Sequence, residues 1–506
     1  MKLFWRRFGV GSVVILVCAA FALKALLLVD ATSLWSDELY SVGKSFQPSF
    51  RALLAMLRND THPPVYYTIV WLWGQSVGQN ALTLRILSWL AYGLGGVVMV
   101  LQSGALAQAF GVSRGRTLSL AALLVFCSPF PVRFAIEGKS YAFLVLFVGL
   151  AWWWRRRLLQ PAASRTAFVR DFLFYGFTVC LAALTHFYGL FLFAAAAAWD
   201  IWQQRWRLGG IAIVALVPAL AWIAYAAAYL FRDSTGGWLA QPDFALFEET
   251  LARALGPWPL PKLVLFVLLM LVLRRWGRLA GNDDEGHLLE APRPALVAGS
   301  LLDLSGLIPS ALMLLAVVAV SFLKPLAFSR YFVVLLPSVI PLLAVQLGGL
   351  QLNSIGRALA LVVLTAFIAL WWQQSYLGIQ PGVSSVGDRE QDNFRAISQF
   401  MAGKQERYGP RSRLLNLSDR MEVEAGRILE SPSLWGDGDL LEKRLESSPL
   451  PSLIWLASSG PEQSMRRRLN PLMQRVETRG YECREDGPKL DYTGVMRCTL
   501  IKAPGG

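Results

Sequence analysis

Histidine, cysteine and charge are all scarce in this 506-residue chain, which has three His, five Cys and only 16% charged residues. So little charge excludes an ordinary soluble domain, and a hydrophobic share of 55% excludes a disordered one. A second absence concerns nucleic acid. The formal charge is +14, yet no basic helix or aromatic-basic surface pattern is visible, and from Ile379 onward acids and bases nearly balance. No internal repeat is visible, which argues against a transporter built from duplicated halves. Cys18, Cys127 and Cys180 fall inside apolar segments and read as packing residues. Only Cys483 and Cys498 lie in polar sequence, on either side of a turn between two strand-like stretches. A tail outside the cytoplasm would allow these two to pair.

What the chain has in abundance is apolar runs. Mean hydropathy is +0.45, and runs near the length needed to cross roughly 30 Å of hydrocarbon recur throughout. They read as Phe8–Val29, Leu82–Phe110, Leu118–Phe134, Tyr141–Trp154, Phe172–Thr185, Phe187–Trp202, Ile211–Phe231, Leu263–Leu273, Leu304–Leu323, Tyr331–Leu350 and Ala358–Tyr376, about eleven spans. The first follows Lys2, Arg6 and Arg7. Its length, and Lys24 within it, favour an uncleaved anchor over a signal peptide. The 19 Trp suit interfacial belts and sugar-binding faces.

Pro64–Val77 is apolar and helical in pattern but short. Lys and Arg concentrate on the cytoplasmic side of membrane proteins. If Pro64–Val77 does not cross, Arg6/Arg7, Arg114/Arg116, Arg155–Arg157, Arg205/Arg207, Arg274/Arg275/Arg278 and Arg357 all lie inside. If it crosses, every cluster after the first moves outside. Pro64–Val77 is therefore expected to be a re-entrant or interfacial helix. The same parity puts the loop 30–80, Glu137, His186, the loop Arg232–Pro261, Arg330 and the polar tail outside. Trp276–Asp303, with its acidic run and prolines, reads as a cytoplasmic linker without chemistry. Residues 1–378 form the expected membrane domain. Residues 379–506 form a small extracytoplasmic α/β domain, with strands at Leu414–Leu417 and Leu453–Ala457 and a helix at Glu462–Val476.

Four polar clusters thus fall on one membrane face. Asp37-Glu38, between Trp35 and Tyr40, offers carboxylates beside aromatic walls, suited to general base work on a hydroxyl; solvated surface acids are the bland alternative. His62-Pro63-Pro64 opens a helix, and His62 and His186 raise a metal pair as one alternative. Arg133 to Tyr141 carries Glu137 and Lys139, either an internal salt bridge or an anchoring belt, or a contact in which Lys139 or Arg133 faces a lipid phosphate while Glu137 orients it. Ser329-Arg330-Tyr331 sets an arginine beside a span, suited to gripping a phosphate or to snorkelling toward headgroups.

Taken in order, these motifs resemble the polytopic GT-C glycosyltransferases of the dolichyl-phosphate-mannose protein mannosyltransferase type, whose bacterial members include lipid A aminoarabinose transferases. The resemblance rests on Asp37-Glu38 after the first span, His62-Pro63-Pro64-Val65-Tyr66-Tyr67, and Ala81-Leu82-Thr83-Leu84-Arg85. It continues through Glu137-Gly138-Lys139-Ser140-Tyr141, Thr185-His186-Phe187-Tyr188 and Ser329-Arg330-Tyr331. It covers Phe8 to about Tyr376. The family often has Arg at the position of Lys139 and Ala at that of Gly138.

The resemblance implies a GT-C-like, α-helical polytopic membrane protein in the bacterial inner membrane, with its site on the periplasmic face. It implies inverting transfer of a sugar from a polyprenyl-phosphate donor to a glycolipid, polysaccharide or protein. In that scheme Asp37 and Glu38 are the catalytic carboxylates, Asp37 taking the acceptor proton. Arg330, Lys139 and Arg85 hold the donor phosphate. Glu137, Tyr66, Tyr67, Tyr141, His62 and His186 support the cavity. No cofactor is required, and a divalent metal at the two His remains the alternative. The competing function is a flippase or exporter of lipid-linked saccharides, which should carry polar groups at mid-membrane depth. A non-catalytic receptor would leave the acids unexplained.

Overall fold

A computed structural model describes residues 10–129, 134–161, 164–232, 241–255 and 300–377. In the C-terminal part it describes 393–397, 399–400, 441, 445–446, 449–450 and 452–501. The membrane part is helical: Val10–Leu27, Ser36–Ser45, Phe50–Leu57, Val65–Val77, Ala81–Ala109, Arg114–Cys127, Tyr141–Leu158, Arg165–Thr185, Phe187–Trp202, Trp206–Leu230, Phe244–Leu255, Leu307–Ser321, Leu336–Gly348 and Ser354–Leu377. Every expected span is represented except Leu263–Leu273, which lies outside the described residues, as do Arg133, Leu414–Leu417 and the boundary near residue 378.

Five described helices or helical runs are long and apolar enough to cross a membrane, namely Ala81–Ala109, Arg165–Thr185, Trp206–Leu230, Ser329–Gly348 and Ser354–Ser375. Gly11–Leu27, Phe187–Trp202 and Leu307–Ser321 are shorter apolar helices. Leu16, Leu173, Val214, Leu315 and Leu361 stand exposed on them, as side chains facing lipid would. The chain is an integral membrane protein. Its helices are joined inside by polar contacts that need no water. Ser310 and Ser338 hydroxyls meet at 2.8 Å, and the Tyr92 hydroxyl donates to the Val125 carbonyl at 3.1 Å.

Val65–Val77 is a helix of 13 residues, too short to span, as its length predicts. It ends at Gly78, whose φ of 124° stops the helical path. An Asn80–Thr83 reciprocal cap then starts Ala81–Ala109. Trp71 and Trp73 fasten the short helix by donating from Nε1 to the carbonyls of Gln47 and Thr83, each at 2.9 Å.

The two ends of the bundle differ in chemistry. Tyr141 and Arg155 sit at opposite ends of one helix, about 21 Å apart at 1.5 Å per residue. At the Arg155 end, its guanidinium donates to Asp200 and to Asp303 Oδ1 at 2.9 Å. Arg205 reaches Asp303 Oδ2 at 2.7 Å, and Trp199 Nε1 donates to Asp303 at 2.8 Å. Asp303 therefore departs from the linker reading: it belongs to a buried ion cluster joining three helix ends.

The C-terminal part contains an antiparallel sheet in the order β1-β3-β2, with β1 Leu453–Ser459, β2 Tyr481–Glu485 and β3 Thr493–Leu500. Glu462–Glu477 is helical and buries Leu469 and Val476. Cys483 and Cys498 face each other directly across β2 and β3 and form a disulfide.

Candidate active site

The site is built where several chain segments meet. The first is the Ser36–Ser45 helix. Glu38 stands in its third position and its Oε2 accepts the Trp35 N–H at 3.3 Å, closing the first turn. Acidic residues in that turn suit the positive end of the helix dipole. The two neighbouring acids then point into different surroundings. Glu38 is fully buried. Arg85 donates to it from Nε at 2.8 Å and from Nη2 at 2.5 Å, and the Gly138 N–H donates to Glu38 Oε1 at 2.7 Å. The remaining Arg85 donors go to the carbonyls of Val29, Thr32 and Ser33 at 2.8–2.9 Å.

That geometry corrects two expectations. A guanidinium has five N–H donors, and all of those on Arg85 are engaged, on a side chain with no exposure. Arg85 has nothing left for a phosphate. It clamps the end of the first span to Glu38. Glu38, for its part, has no exposure and is enclosed by Arg85 and the Gly138 N–H, which fits positioning rather than contact with a substrate.

Asp37 differs. Its side chain is 33% exposed, and Arg330 Nη1 donates to its Oδ2 at 3.0 Å. Arg330 is itself buried, with its guanidinium carbon 4.6 Å from the Trp35 ring centroid and 4.7 Å from that of Phe328. The irregular residues before it are set by Ser321, whose hydroxyl accepts from the Leu326 and Ala327 N–H groups. Seven residues of 3-10 helix, Ser329–Leu335, then carry Arg330 and Tyr331 before the α-helical span begins. Such runs are uncommon and often mark functional positions. Burial raises the Asp37 carboxyl pKa, but the nearby cations, Lys139 and Arg330 first, outweigh burial and hold it below the usual range.

Lys139 comes from the turn Glu137 to Ser140. It is 6% exposed and makes no ion pair among the described residues. Burial and the neighbouring cations Lys44 and Arg330 push its ammonium below its ordinary pKa, against the pull of Asp37 and Glu137. Glu137 is fully buried close by. Gly138 between them packs closely on Leu84. A Cβ there would meet the end of the Leu84 side chain, so an alanine would require that side chain to shift.

His62 and His186 approach with ring centroids 6.1 Å apart. His186 caps the Phe187–Trp202 helix: its Nδ1 accepts the Tyr188 N–H at 3.2 Å, which puts its proton on Nε2. The turn is tight because Gly189 lies so near that a Cβ would be 2.3 Å from the Ala182 carbonyl oxygen. His62 Nδ1 stands 3.1 Å from Asp60 Oδ1. A carboxylate only accepts, so Nδ1 carries the proton and Nε2 keeps its lone pair. Burial lowers both imidazoles, His186 to about 3. The described residues contain no group of three His, Cys, Asp or Glu side chains that could hold a metal ion.

Aromatic rings complete the enclosure. Tyr331 lies 4.9 Å from His186 and 6.5 Å from Tyr141 between centroids, and Tyr67 lies 6.0 Å from His62. Tyr66 packs behind them, between Tyr67 and Phe143.

Two participants carry no motif and escape a sequence reading. Lys44 is buried, ion-paired with Asp60, and lies 5.4 Å from the Tyr67 ring centroid. Asp60 in turn orients His62. A signal for Lys44 did exist: it follows Asp37 by seven positions, two helical turns, and so shares its face.

This arrangement sits on a fold already solved elsewhere. ArnT from Cupriavidus metallidurans bound to undecaprenyl phosphate superposes with a TM-score of 0.59 at 13% identity, covering 98% of this chain and 100% of that one. The fold is that of ArnT. The apo state of the same ArnT gives a TM-score of 0.59 at 15% identity, covering 96% of this chain and 97% of that one. No family profile matches the sequence, and neither does any curated protein. The fold of ArnT is thus shared in three dimensions at low sequence identity.

Proposed function

We propose that the protein is an inverting glycosyltransferase. It moves a sugar from a polyprenyl-phosphate donor to a hydroxyl of a glycolipid, polysaccharide or protein at the extracytoplasmic membrane face. The observation that carries this reading is the Asp37–Arg330 pair, a partly exposed carboxylate set beside one buried guanidinium and one buried ammonium, Lys139. A base and a cationic phosphate seat side by side are what a single displacement from a sugar phosphate needs. The fold of ArnT, solved with undecaprenyl phosphate bound, supports a lipid-phosphate donor. The Cys483–Cys498 disulfide supports an oxidising compartment for the tail. The Arg155–Arg157 and Arg205 clusters, at the end opposite the site, support the sidedness.

In this mechanism the acceptor oxygen attacks the anomeric carbon from the face opposite the phosphate. The new carbon–oxygen bond forms as the bond from that carbon to the phosphate oxygen breaks. The electron pair leaves with the phosphate, and the acceptor proton passes to Asp37 and on to water. One displacement inverts the anomeric centre. Asp37 is ionised and ready to accept because the surrounding cations hold its pKa low. It is a weak base, so proton transfer comes late, once departure of the phosphate has made the acceptor hydroxyl acidic. Arg330 and Lys139 receive the growing phosphate charge. We assign no metal to this step, since those two cations already stand where one would act, and transfer indifferent to a chelator is the expected result.

The test compares lipid extracts and envelope glycans by mass spectrometry. The strains are wild type, a deletion, and the deletion carrying Asp37→Asn with membrane expression checked. A glycan lacking one sugar, with the matching polyprenyl-phosphate sugar accumulating in both defective strains, names donor and acceptor together. Wild-type glycans in the Asp37→Asn strain would overturn the assignment of the base. Whole lipid-linked glycans accumulating in the deletion would favour an exporter.

A further inference from the structure

The C-terminal sheet has no chemistry of its own, yet the residues leading into it touch the loop that carries Asp37. Residues 393–397 form a strap with alternating attachments. Phe394, 1% exposed, packs into the core of the membrane part. Ile397 is fully buried among Leu453, Trp455, Ala457 and Val495 of the sheet. The Asn393 N–H donates to Ser459 Oγ at the end of β1, at 2.6 Å. Between them, Arg395 turns toward the membrane part. Its Nη1 donates to the Asp30 carbonyl at 3.0 Å and its Nη2 to Asp30 Oδ1 at 2.5 Å. Its backbone N–H donates to Ser33 Oγ at 3.0 Å.

The segment from Val29 to Ser33 therefore lies between two arginines. Arg85 holds it from within through the carbonyls of Val29, Thr32 and Ser33. Arg395 holds it from outside, and the Thr32 carbonyl is shared, at 3.4 Å from Arg395 Nη2. Trp35, which starts the helix bearing Asp37, follows two residues later. A segment of this length outside regular structure has no ladder to fix it. Besides the turn bonds of Val29 and Ala31 and the burial of Leu34 and Trp35, the two guanidinium groups hold it from both sides, directly ahead of the Asp37 helix.

We propose that the strap 393–397 couples the C-terminal domain to the active-site loop, with Arg395 acting as a positioning residue for sugar transfer. The domain is then part of the catalytic architecture: strain or ligand contact on the sheet is felt at Asp37 through Arg395. This inference rests on Asp37 being the base of the transfer reaction. Arg395 touches no substrate and acts through the placement of that carboxylate. Displacement of a reacting group by about 1 Å costs on the order of a hundredfold in rate.

The experiment uses the full-length protein in lipid nanodiscs with wild type, Arg395→Ala, Arg395→Lys and, as a surface control, Arg466→Ala. Amide hydrogen exchange over residues 30–45 and transfer kinetics are measured on the same samples. Arg395→Ala should speed exchange in 30–45 and lower kcat by about tenfold or more while donor KM stays near wild type. Arg395→Lys, which keeps a donor and a positive charge, should restore part of both. Asp30→Ala should mimic Arg395→Ala, and the double variant should be no worse than either single one. Unchanged exchange in Arg395→Ala overturns the coupling. Faster exchange with unchanged kcat overturns the positioning role. Should wild type transfer no sugar, the reading of the reaction fails, while the exchange comparison still decides whether the strap holds the loop. If Arg395→Ala does not fold, Arg395→Lys and Asp30→Ala carry the same comparison.

Discussion

Arg330 Nη1 stands 3.0 Å from Asp37 Oδ2, across 293 positions of sequence. The contact joins the loop after the first span to the start of a late one, so the proposed base and the proposed phosphate seat assemble only when the whole bundle has closed. Arg330→Lys keeps the charge but loses the flat, forked donor set. Transfer is expected to fall by about tenfold to a hundredfold, and Arg330→Ala by more. A variant Arg330→Lys with wild-type kcat/KM would show that the fork is not used.

Asp37 and Glu38 are adjacent carboxylates and should fail in opposite ways. Asp37→Asn is expected to abolish transfer while costing less stability than Glu38→Gln, because Asp37 is partly exposed and its pair with Arg330 is partly screened. Glu38→Gln leaves the Arg85 guanidinium buried without its counter-charge, a loss of about 3–5 kcal/mol. It should lower the unfolding temperature or prevent membrane accumulation. Thermal unfolding of the two variants in detergent separates the roles, and equal stability of both would refute the clamp.

Lys139 is buried without an ion pair among the described residues, an arrangement that costs stability in the unliganded protein. Lys139→Met is therefore expected to leave the unfolding temperature unchanged or raise it, while weakening the binding of polyprenyl phosphate by about tenfold or more. Titration calorimetry with polyprenyl phosphate, beside a thermal melt, checks both halves. A destabilised variant that binds normally would reverse the assignment.

Acid should weaken the fold in a window set by the histidines. His186 is held down to about 3, and His62 also lies below its ordinary value near 6.5. The unfolded chain binds these protons at about 6.5. Below that pH the unfolded state takes up more protons than the folded one, and stability falls as pH drops toward 3. His186→Asn keeps a capping acceptor without a titrating ring. Its unfolding temperature should match wild type at pH 7.5 and decline less between pH 6.5 and 4. Parallel curves would show that His186 binds its proton equally in the folded and unfolded chain, so that its pKa is not held down.

Much of the site was legible because it lies at span ends. Asp37, His62, Glu137, His186 and Arg330 stand out as polar residues beside apolar runs, and the count of positive clusters gives the expectation that they share one face. Their roles were less legible. Arg85 reads as one more cation near the site, and only the three carbonyls and one carboxylate around it reveal a saturated clamp. Glu38 reads as the equal of Asp37, because a sequence does not state which of two adjacent side chains turns inward. Lys44 and Asp60 carry no motif at all, and Asp303 sits in a stretch that looks like linker.

The sequence by itself determined the membrane class, the apolar helices and the short helix Val65–Val77. Those follow from the energetic cost of moving polar groups into hydrocarbon, a cost that is local and can be read residue by residue. The tertiary structure decided which cation meets which carboxylate, that Cys483 and Cys498 join, and that Arg395 reaches back to Asp30. Pairings of this kind depend on distances between segments far apart in the chain. Those distances are set by how the helices pack together, which the local hydropathy pattern leaves open.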